Sequence, residues 1–391
     1  MLLWEIERHL EEKIIPFWKK LRDVEHGGYY GYLDYNLNLD KKAVKGVILH
    51  CRILWFFTNA YKITQDIECL EHATHCYQFI KDNCFDKEYG GVYWWVSYEG
   101  LPCDTTKHTY NQAFAIYALS SYYGVTKNQE AYDLAINLFY LIETKLKDEY
   151  GYLEAFDRFF LPIENDKLSE NGLMASKTMN TLLHLLEAYT ELYKVSKDDL
   201  VRKSLIWILE QFEKVVYNKD RRILEVFFDK DMNSLSDLNS YGHDIEASWL
   251  MDLACIEVGD KDLTSRVRVV TDNLREHIYE EGYTNDSLNN EKFKGEVDTT
   301  KIWWVQAEAV VGFINGYELD KSKVKYLHAA RKIWEYIKEY MIDKRANSEW
   351  FYDLNDDNIP ISKKEIVGPW KCPYHNGRMC FEVLKRKIEI T

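Results

Sequence analysis

Long apolar runs, secretory signals and basic stretches are all missing from this 391-residue sequence. The most apolar stretch, residues 47–60, contains His50 and Arg52 and is too short to span a bilayer. An acidic residue, Glu5, already occurs near the amino terminus, and the apolar core typical of a signal peptide does not follow it. Fifty basic residues face 64 acidic ones, for a formal charge of −14, and no basic run stands out. These absences argue against a membrane protein and against nucleic-acid binding.

Paired cysteines and helix-breaking prolines are also scarce. The eight cysteines show no CxxC pair and no regular spacing, which favours reduced thiols in a cytoplasmic protein. Only six prolines interrupt the chain, so long helices can run without a break. We find no linker and no low-complexity segment, and therefore expect a single domain over residues 1–391.

Helical apolar periodicity dominates the sequence, and two kinds of helix alternate along it. Helices that are apolar all round are buried, whereas helices with one charged face lie outside them. The strongly apolar helices are predicted at 47–61, 108–123, 176–193, 243–257, 301–317 and 374–387. The amphipathic helices are predicted at 3–20, 67–81, 128–147, 200–216, 261–279 and 322–341.

Each amphipathic helix is followed by an aromatic, glycine-bearing or acidic turn segment, as at residues 27–32 and 90–95. These segments recur every roughly 60–70 residues, a period typical of repeat architectures. Six inner and six outer helices predict an all-α fold, an (α/α)6 barrel. An open solenoid of helical hairpins is the alternative.

The repeat allows the inner helices to be aligned with one another on a shared downstream tyrosine. Nine residues before that tyrosine stand Arg52, Phe114, His184 and Glu308, and similar spacing places Glu246 and Arg378 at the same position. A purely structural repeat would carry leucine or alanine there. Burying several unpaired charges is costly, so we expect these residues to line a wet cavity at one mouth of the barrel.

Three short segments carry the chemistry. In residues 240–249, His243, Glu246 and Trp249 are three apart, so a helix places them on or near one face. In residues 301–308, Trp304 and Glu308 are four apart, and in residues 370–378, His375 and Arg378 are three apart. An indole can cover the apolar face of a pyranose, charged groups can bind its hydroxyls, and an imidazole can move a proton. The combination predicts a sugar-handling active site.

Other interpretations of the same residues stay open. His184 lies among leucines, where a hydrogen-bonded core histidine is common. Together with His243 and His375 it could also bind zinc, although no HxH or HExxH spacing supports this. No glycine-rich phosphate loop is convincing, because tyrosines follow Gly27-Gly28. We therefore predict neither a metal nor a nucleotide cofactor.

With these motifs in place, the chain resembles the cellobiose 2-epimerases of the N-acylglucosamine 2-epimerase superfamily over essentially its whole length. The resemblance lies in residues 27–32, 52–55 and 176–181 and in the three segments above. One departure is His50-Cys51, where smaller polar residues such as Asn and Ser would be expected.

The resemblance implies reversible inversion at C2 of the reducing-end glucose of a β-1,4-linked disaccharide, such as cellobiose or lactose. It implies His243 and His375 as the two proton-transfer bases, Arg52 as the oxyanion partner, and His184 in ring opening or in holding O1. The remaining substrate shell would comprise Tyr110, Asn180, Glu246, Trp249, Trp304, Glu308, Trp370 and Arg378. Within it, Glu246 and Glu308 would orient the histidines or bind hydroxyls.

Rival functions remain at this point. A glycoside hydrolase on the same barrel would use Glu246 and Glu308 as its two carboxylates. A non-catalytic sugar-binding protein would not need two histidines and an arginine. An N-acylglucosamine epimerase and an aldose–ketose isomerase would share the enediolate chemistry. We expect a disaccharide as the partner, no nucleic acid or membrane, and a monomer or weak homo-oligomer.

Overall fold

The structure, a computed structural model, describes residues 2–168, 173–361 and 364–387, and arranges them as two concentric rings of helices. Each inner helix contacts the next inner helix along the chain, and the sixth contacts the first, so the inner ring is closed. The predicted (α/α)6 barrel is therefore confirmed. The inner helices are Val47–Thr64, Thr109–Thr126, Met179–Ser196, Tyr241–Val258, Trp303–Leu319 and Tyr374–Arg386.

The outer helices each contain a five-residue π-helical segment. In the first outer helix this segment is followed by a further α-helical stretch, and in the other five it forms the last turn. The outer helices are Leu2–His9 with Leu10–Ile14 and Ile15–Lys19, Ile67–Phe79 with Ile80–Cys84, Gln129–Leu141 with Ile142–Leu146, Asp199–Gln211 with Phe212–Val216, Lys261–His277 with Ile278–Gly282, and Val324–Tyr336 with Ile337–Met341.

Tight links turn the chain from each inner helix to the next outer one. The first inner helix ends at Gln65, which has a left-handed backbone with φ of 56°. Asp66 follows immediately and accepts a hydrogen bond from the backbone N–H of Glu68, capping the outer helix. Asn128, Asp198 and Asp260 cap the next three outer helices in the same way. A short polar cap satisfies a helix amino terminus that would otherwise lack partners.

Short antiparallel strands fix the start of five of the six inner helices. The two residues before an inner helix pair with a strand that follows the next outer helix. The pairs are Lys45–Gly46 with Trp95–Val96, Lys107–His108 with Ala155–Phe156, Lys177–Thr178 with Phe227–Phe228, Asn239–Ser240 with Glu291–Phe293, and Lys301–Ile302 with Asp353–Leu354. For this reason the third inner helix begins at Met179, whereas the sequence predicted a start at 176.

Buried lysines reinforce these junctions. Lys45 Nζ donates to Asp23 Oδ2 at 2.7 Å and to the Gly27 carbonyl at 2.7 Å. Lys371 Nζ donates to Glu349 Oε2 at 2.5 Å, and both side chains are completely buried. A buried ammonium is tolerated only with such partners. The entry into the inner ring is thus held by ion pairs as well as by strands.

No helix in the described ranges is long and apolar enough to cross a membrane. All eight cysteines lie within the described part of the chain, and each is unpaired.

Candidate active site

A cavity of about 350 Å³ opens among the amino-terminal ends of the inner helices. Nine of the twelve predicted site residues line it, and three do not. Those in the wall are Arg52, Tyr110, Asn180, His184, His243, Glu246, Trp304, Trp370 and His375. Lys167, Leu168, Trp303 and Tyr352 complete the lining.

His243 and His375 are held in different ways. His243 Nδ1 lies 2.7 Å from Ser240 Oγ, and His375 Nδ1 lies 2.8 Å from Glu308 Oε1. Because Nδ1 is engaged in both rings, Nε2 is the nitrogen left to exchange a proton with a substrate. Burial lowers the pKa of His243 to about 3 and, with Arg378, lowers the pKa of His375 as well. Both shifts favour the neutral imidazole, which is the form that can accept a proton.

His184 is oriented by a carboxylate that the sequence analysis did not single out. Its Nδ1 lies 3.0 Å from Glu187 Oε2, one turn further along the same helix. Glu187 Oε1 accepts from the Tyr374 hydroxyl at 2.5 Å and from Arg378. Burial would raise the pKa of Glu187, but Arg378 and the His184 hydrogen bond lower it to about 2. Glu187 is thus an ionised anchor for His184.

Arg52 brings a positive charge that no carboxylate neutralises. Within the described residues it forms no ion pair, and its Nη2 donates to the Tyr110 hydroxyl at 2.9 Å. The guanidinium carbon lies 4.3 Å from the Phe114 ring centroid and 4.8 Å from that of Tyr374. Aromatic faces stabilise a cation without cancelling its charge. Arg52 is therefore available to an anion that forms in the cavity.

Aromatic rings frame the cavity on two sides. The Trp304 ring lies 4.8 Å from His243 and 5.4 Å from His375, between the two histidines. The Trp370 ring lies 5.9 Å from that of Tyr110. Asn180 Oδ1 is buried and has no hydrogen-bond partner in the described chain. These groups offer stacking surfaces and an amide for a polar, ring-shaped ligand.

The three predicted residues that do not line the cavity lie beneath it. Arg378 Nη2 donates to Glu308 Oε1 at 2.6 Å and also to Glu246 Oε1, while Glu308 Oε2 accepts from Trp249 Nε1 at 3.0 Å. We call Glu187, Glu246, Glu308 and Arg378 the floor. The sequence predicts that Trp249 and Arg378 complete the substrate shell, and that Glu308 orients a histidine or binds a hydroxyl. In the structure Glu308 bonds His375, and we infer that all three act by positioning other residues.

Three residues of the site were missed at the level of sequence, although a signal existed for each. Glu187 follows His184 by three residues and Ser240 precedes His243 by three, the spacing of neighbours along a helical turn. Tyr374, directly before His375, donates to Glu187.

Two carboxylates of the floor, Glu246 and Glu308, form with His375 the one group in the described residues whose atoms could hold a metal ion. Ligand atoms of the three lie within 4.8 Å of one another. Arg378 already donates to both carboxylates, so a dication would have to displace a guanidinium. His184, His243 and His375 do not form such a group within the described chain. The donor set fits an arginine better than a metal.

Comparisons with known proteins identify the family to which the chain belongs. A sequence profile of the N-acylglucosamine 2-epimerase (GlcNAc 2-epimerase) family matches residues 28–377. A cellobiose 2-epimerase of Ruminococcus albus is 55% identical over 390 residues, covering 100% of both chains. The crystal structure of a sugar epimerase from a ruminal bacterium superposes with a TM-score of 0.98 at 54% identity, over 100% of both chains.

A second solved structure, cellobiose 2-epimerase from Bacillus thermoamylovorans B4167, is 45% identical. It superposes with a TM-score of 0.96 and covers 98% of this chain and 99% of its own. Both similarities extend along the whole barrel, including the elements that carry the histidines. The chain belongs to the N-acylglucosamine 2-epimerase family, among its cellobiose 2-epimerases.

Proposed function

We propose that this protein inverts C2 of the reducing-end glucose of β-1,4-linked disaccharides, converting cellobiose to glucosyl-mannose and lactose to epilactose. One observation carries the proposal. His243 and His375 come from non-adjacent inner helices, line the same cavity, and are each held through Nδ1. Two fixed bases around one substrate carbon are what inversion by proton transfer requires.

The chemistry begins with ring opening, because the C2 proton is acidic only when C1 is a carbonyl. Removal of that proton gives an enediolate, and return of a proton to the opposite face inverts C2. One histidine starts as a neutral imidazole and accepts the first proton through Nε2. The other starts protonated on Nε2, delivers the second proton to C2 and becomes neutral. The carboxylate of Glu308 favours a proton on Nδ1 of His375, which leaves Nε2 as an acceptor.

Two features stabilise the negative charge of the enediolate. Arg52 has no carboxylate partner within the described residues, so its guanidinium can pair with the developing oxyanion. All six inner helices also direct their amino-terminal ends to this mouth, where helix dipoles favour negative charge. Because these groups are fixed before the reaction, little reorganisation is needed when the charge appears.

The hydrolase alternative fits the geometry poorly. Glycosidases place two carboxylates on either side of the scissile bond, roughly 5–9.5 Å apart. Here Glu246 and Glu308 both accept from the same atom, Arg378 Nη2, and Glu308 lies beneath the cavity. They form one floor and do not flank a substrate.

The test is incubation with cellobiose, lactose, mannose and N-acetylglucosamine, followed by chromatographic and NMR identification of products. Glucosyl-mannose from cellobiose and epilactose from lactose are the expected products. Release of free glucose from cellobiose would support the hydrolase. Reaction only with N-acetylglucosamine, or conversion of mannose to a ketose alone, would favour the other two candidates of the superfamily.

We further propose a cytoplasmic, monomeric or weakly oligomeric enzyme that needs neither metal nor nucleic acid. The eight unpaired cysteines support a reducing compartment. The acidic balance, 64 acidic against 50 basic residues, supports the absence of a nucleic-acid partner. Sedimentation analysis of the purified chain would establish its oligomeric state.

A further inference from the structure

Glu246 differs from the other two carboxylates of the floor. Glu187 and Glu308 each use both oxygens in hydrogen bonds. Glu246 uses only Oε1, which accepts from Arg378. Its Oε2 is buried without a hydrogen-bond partner in the described residues, while the side chain lines the active-site cavity. One carboxyl oxygen is therefore left for a ligand.

The charges of the floor do not balance. Three carboxylates share a single guanidinium, so full ionisation would leave two uncompensated negative charges in a buried cluster. Such a cluster is costly, and binding one proton relieves it. Glu187 is held ionised by Arg378 and His184, and Glu308 is bonded by Arg378, Trp249 and His375. Glu246 has one oxygen without a hydrogen bond, so the proton is expected to bind there.

We propose that Glu246 is the catalytic acid that opens the sugar ring, and that the enzyme therefore also interconverts the α and β anomers of its disaccharide. This further activity rests on the proposed function for the choice of substrate. It does not require the C2 chemistry, because opening and closing of the ring involve only C1, O1 and O5.

The step balances without any other reactant. His184 takes the proton from the O1 hydroxyl, the C1–O1 bond becomes a carbonyl, and the C1–O5 bond breaks. O5 receives the proton of Glu246, which becomes a carboxylate beside Arg378. After the aldehyde group rotates about the C1–C2 bond, O5 attacks the other face of C1. The O5 proton then returns to Glu246, and O1 takes back the proton from His184.

The two halves of the chemistry use different residues. Glu246 and His184 exchange protons with O5 and O1, whereas His243 and His375 exchange protons with C2. Both pairs line the same cavity, and the direct partner of each side chain is different. Arg378 connects the pairs only indirectly, because it bonds both Glu246 and Glu308. Anomer exchange should therefore survive the loss of a C2 base, and both activities should fail without Glu246.

The experiment follows the optical rotation of freshly dissolved α-lactose, with the spontaneous rate subtracted, and in parallel the formation of epilactose. We expect wild-type enzyme to accelerate anomer exchange, and Glu246→Gln to slow both exchange and epimerisation by about 10²–10⁴-fold. His375→Asn, whose amide can still donate to Glu308, should lose epimerisation by a similar factor but keep at least a tenth of the exchange rate.

Glu154→Gln is the matched control. Glu154 is equally buried, and burial raises its pKa to about 7, but it bonds Thr178 and Thr181 and does not line the cavity. Its exchange and epimerisation rates should stay within about twofold of wild type. A Glu154→Gln defect as large as that of Glu246→Gln would overturn the assignment, because buried-charge loss alone would then explain the effect.

A second measurement needs no variant. Burial and Glu308 raise the pKa of Glu246 to about 7, so the acid holds its proton below that pH and loses it above. Exchange by wild-type enzyme should therefore fall as pH rises from 6 to 9. The titratable and charged groups around Glu246 are Arg52, Tyr110, His184, Glu187, His243, Glu308, Tyr374, His375 and Arg378.

The outcomes separate this inference from the proposed function. Absence of epimerisation in wild type would overturn the proposed function itself. Epimerisation by wild type with no acceleration of anomer exchange, or with exchange that does not fall above pH 7, would overturn only the role of Glu246. Equal loss of exchange and epimerisation in His375→Asn would overturn the separation of the two halves. A folded Glu246→Gln variant that still exchanges anomers at the wild-type rate would overturn the acid assignment directly.

Discussion

The two ends of the barrel are built from the same six inner helices but differ in chemistry. The amino-terminal end carries the histidines, Arg52 and the tryptophans around a cavity of about 350 Å³. The carboxy-terminal end encloses a second cavity of about 230 Å³ whose outer residues are lysines and glutamates, with Glu187 and Arg378 at its base. The floor separates the two.

On three inner helices, a residue of the active-site cavity and a residue of the second cavity are separated by ten positions. Arg52, His184 and His375 line the active-site cavity, and Lys62, Lys194 and Lys385, ten residues later, line the other. Ten residues of helix span about 15 Å.

The lysines at the carboxy-terminal end complement the negative ends of the helix dipoles. They are also paired with carboxylates, as Lys194 is with Glu191 at 3.1 Å and Lys385 with Glu382 at 3.0 Å. At the amino-terminal end, Arg52 is left without such a partner in the described residues. In this barrel the paired lysines thus lie at the carboxy-terminal end, whereas the unpaired guanidinium of Arg52 lines the active-site cavity.

The largest expected effect is loss of a C2 base. Replacing His243 or His375 by Asn should lower epimerisation by about 10²–10⁴-fold, because each serves one face of the carbon. Both variants should fold, since both side chains line a cavity. Replacement of Lys385 by Met, ten residues after His375, is the control and should leave turnover unchanged.

Deuterated water sharpens this test. Wild-type product should carry deuterium at C2, and the variant that keeps the abstracting histidine should still exchange the glucose C2 proton without inversion. Near-normal epimerisation in both variants would remove the histidines from catalysis. Product without solvent deuterium would leave internal proton return or a non-enediolate route, and the two-base assignment would then need independent support.

The next effect concerns the oxyanion partner. Arg52→Met should lower kcat by about 10²–10³-fold, the usual cost of removing one donor to a developing oxyanion. Lys62→Met, on the same helix at the opposite end, removes the same charge and should change kcat by less than about twofold. A similar fall in both variants would mean that overall charge, and not the position of Arg52, controls the rate.

A smaller effect is expected at the aromatic wall. Trp304→Ala removes a ring that lies between the two histidines, and should raise the KM for cellobiose between about twofold and about tenfold, with a reduced turnover. Trp4→Ala, on the outer ring and 60% exposed, is the control. An unchanged KM and rate, or a collapsed melting transition, would assign Trp304 to packing.

Much of this site could be predicted from the periodicity of the sequence, because the periodicity indicates which helices are buried and which positions point inward. Aligning the repeats brought Arg52, His184 and Glu246 to one level, and all three line the cavity. The same alignment also included Glu308 and Arg378. They lie beneath the cavity because Arg378 bonds carboxylates from three helices.

Pairings across the barrel could not be predicted, since periodicity gives the direction of a side chain but not its partner. In the sequence Glu187 looks like an ordinary polar residue. Only the structure shows that Arg378 and Tyr374 donate hydrogen bonds to it. The strands that start the inner helices are mostly two residues long and leave almost no alternation to detect. The sequence analysis described them only as turn segments.

At the carboxy-terminal end, we expect the loss of an ion pair to affect stability slightly and turnover hardly at all. Lys194→Met removes a partly exposed ion pair with Glu191, and should change the free energy of unfolding by no more than about 1 kcal/mol. Turnover should stay within about twofold of wild type. A large loss of turnover with an unchanged melting temperature would show that the second cavity communicates with the first through Glu187, and would remove the division between the two ends.

The last prediction concerns the floor, where we expect removal of metal ions to have no effect on the rate of epimerisation. Exhaustive chelation should leave epimerisation unchanged, because Arg378 supplies the positive charge that Glu246 and Glu308 require. The cluster these carboxylates form with His375 has donors suited to a dication, so the expectation is a real test. Activity should be followed with cellobiose before and after dialysis against chelator, with the metal content measured in both samples. Loss of activity that a divalent ion restores would replace the arginine-centred floor with a metal site. It would also make the boundary between the two ends part of the catalytic machinery, and the histidines would then have to be reconsidered as metal ligands.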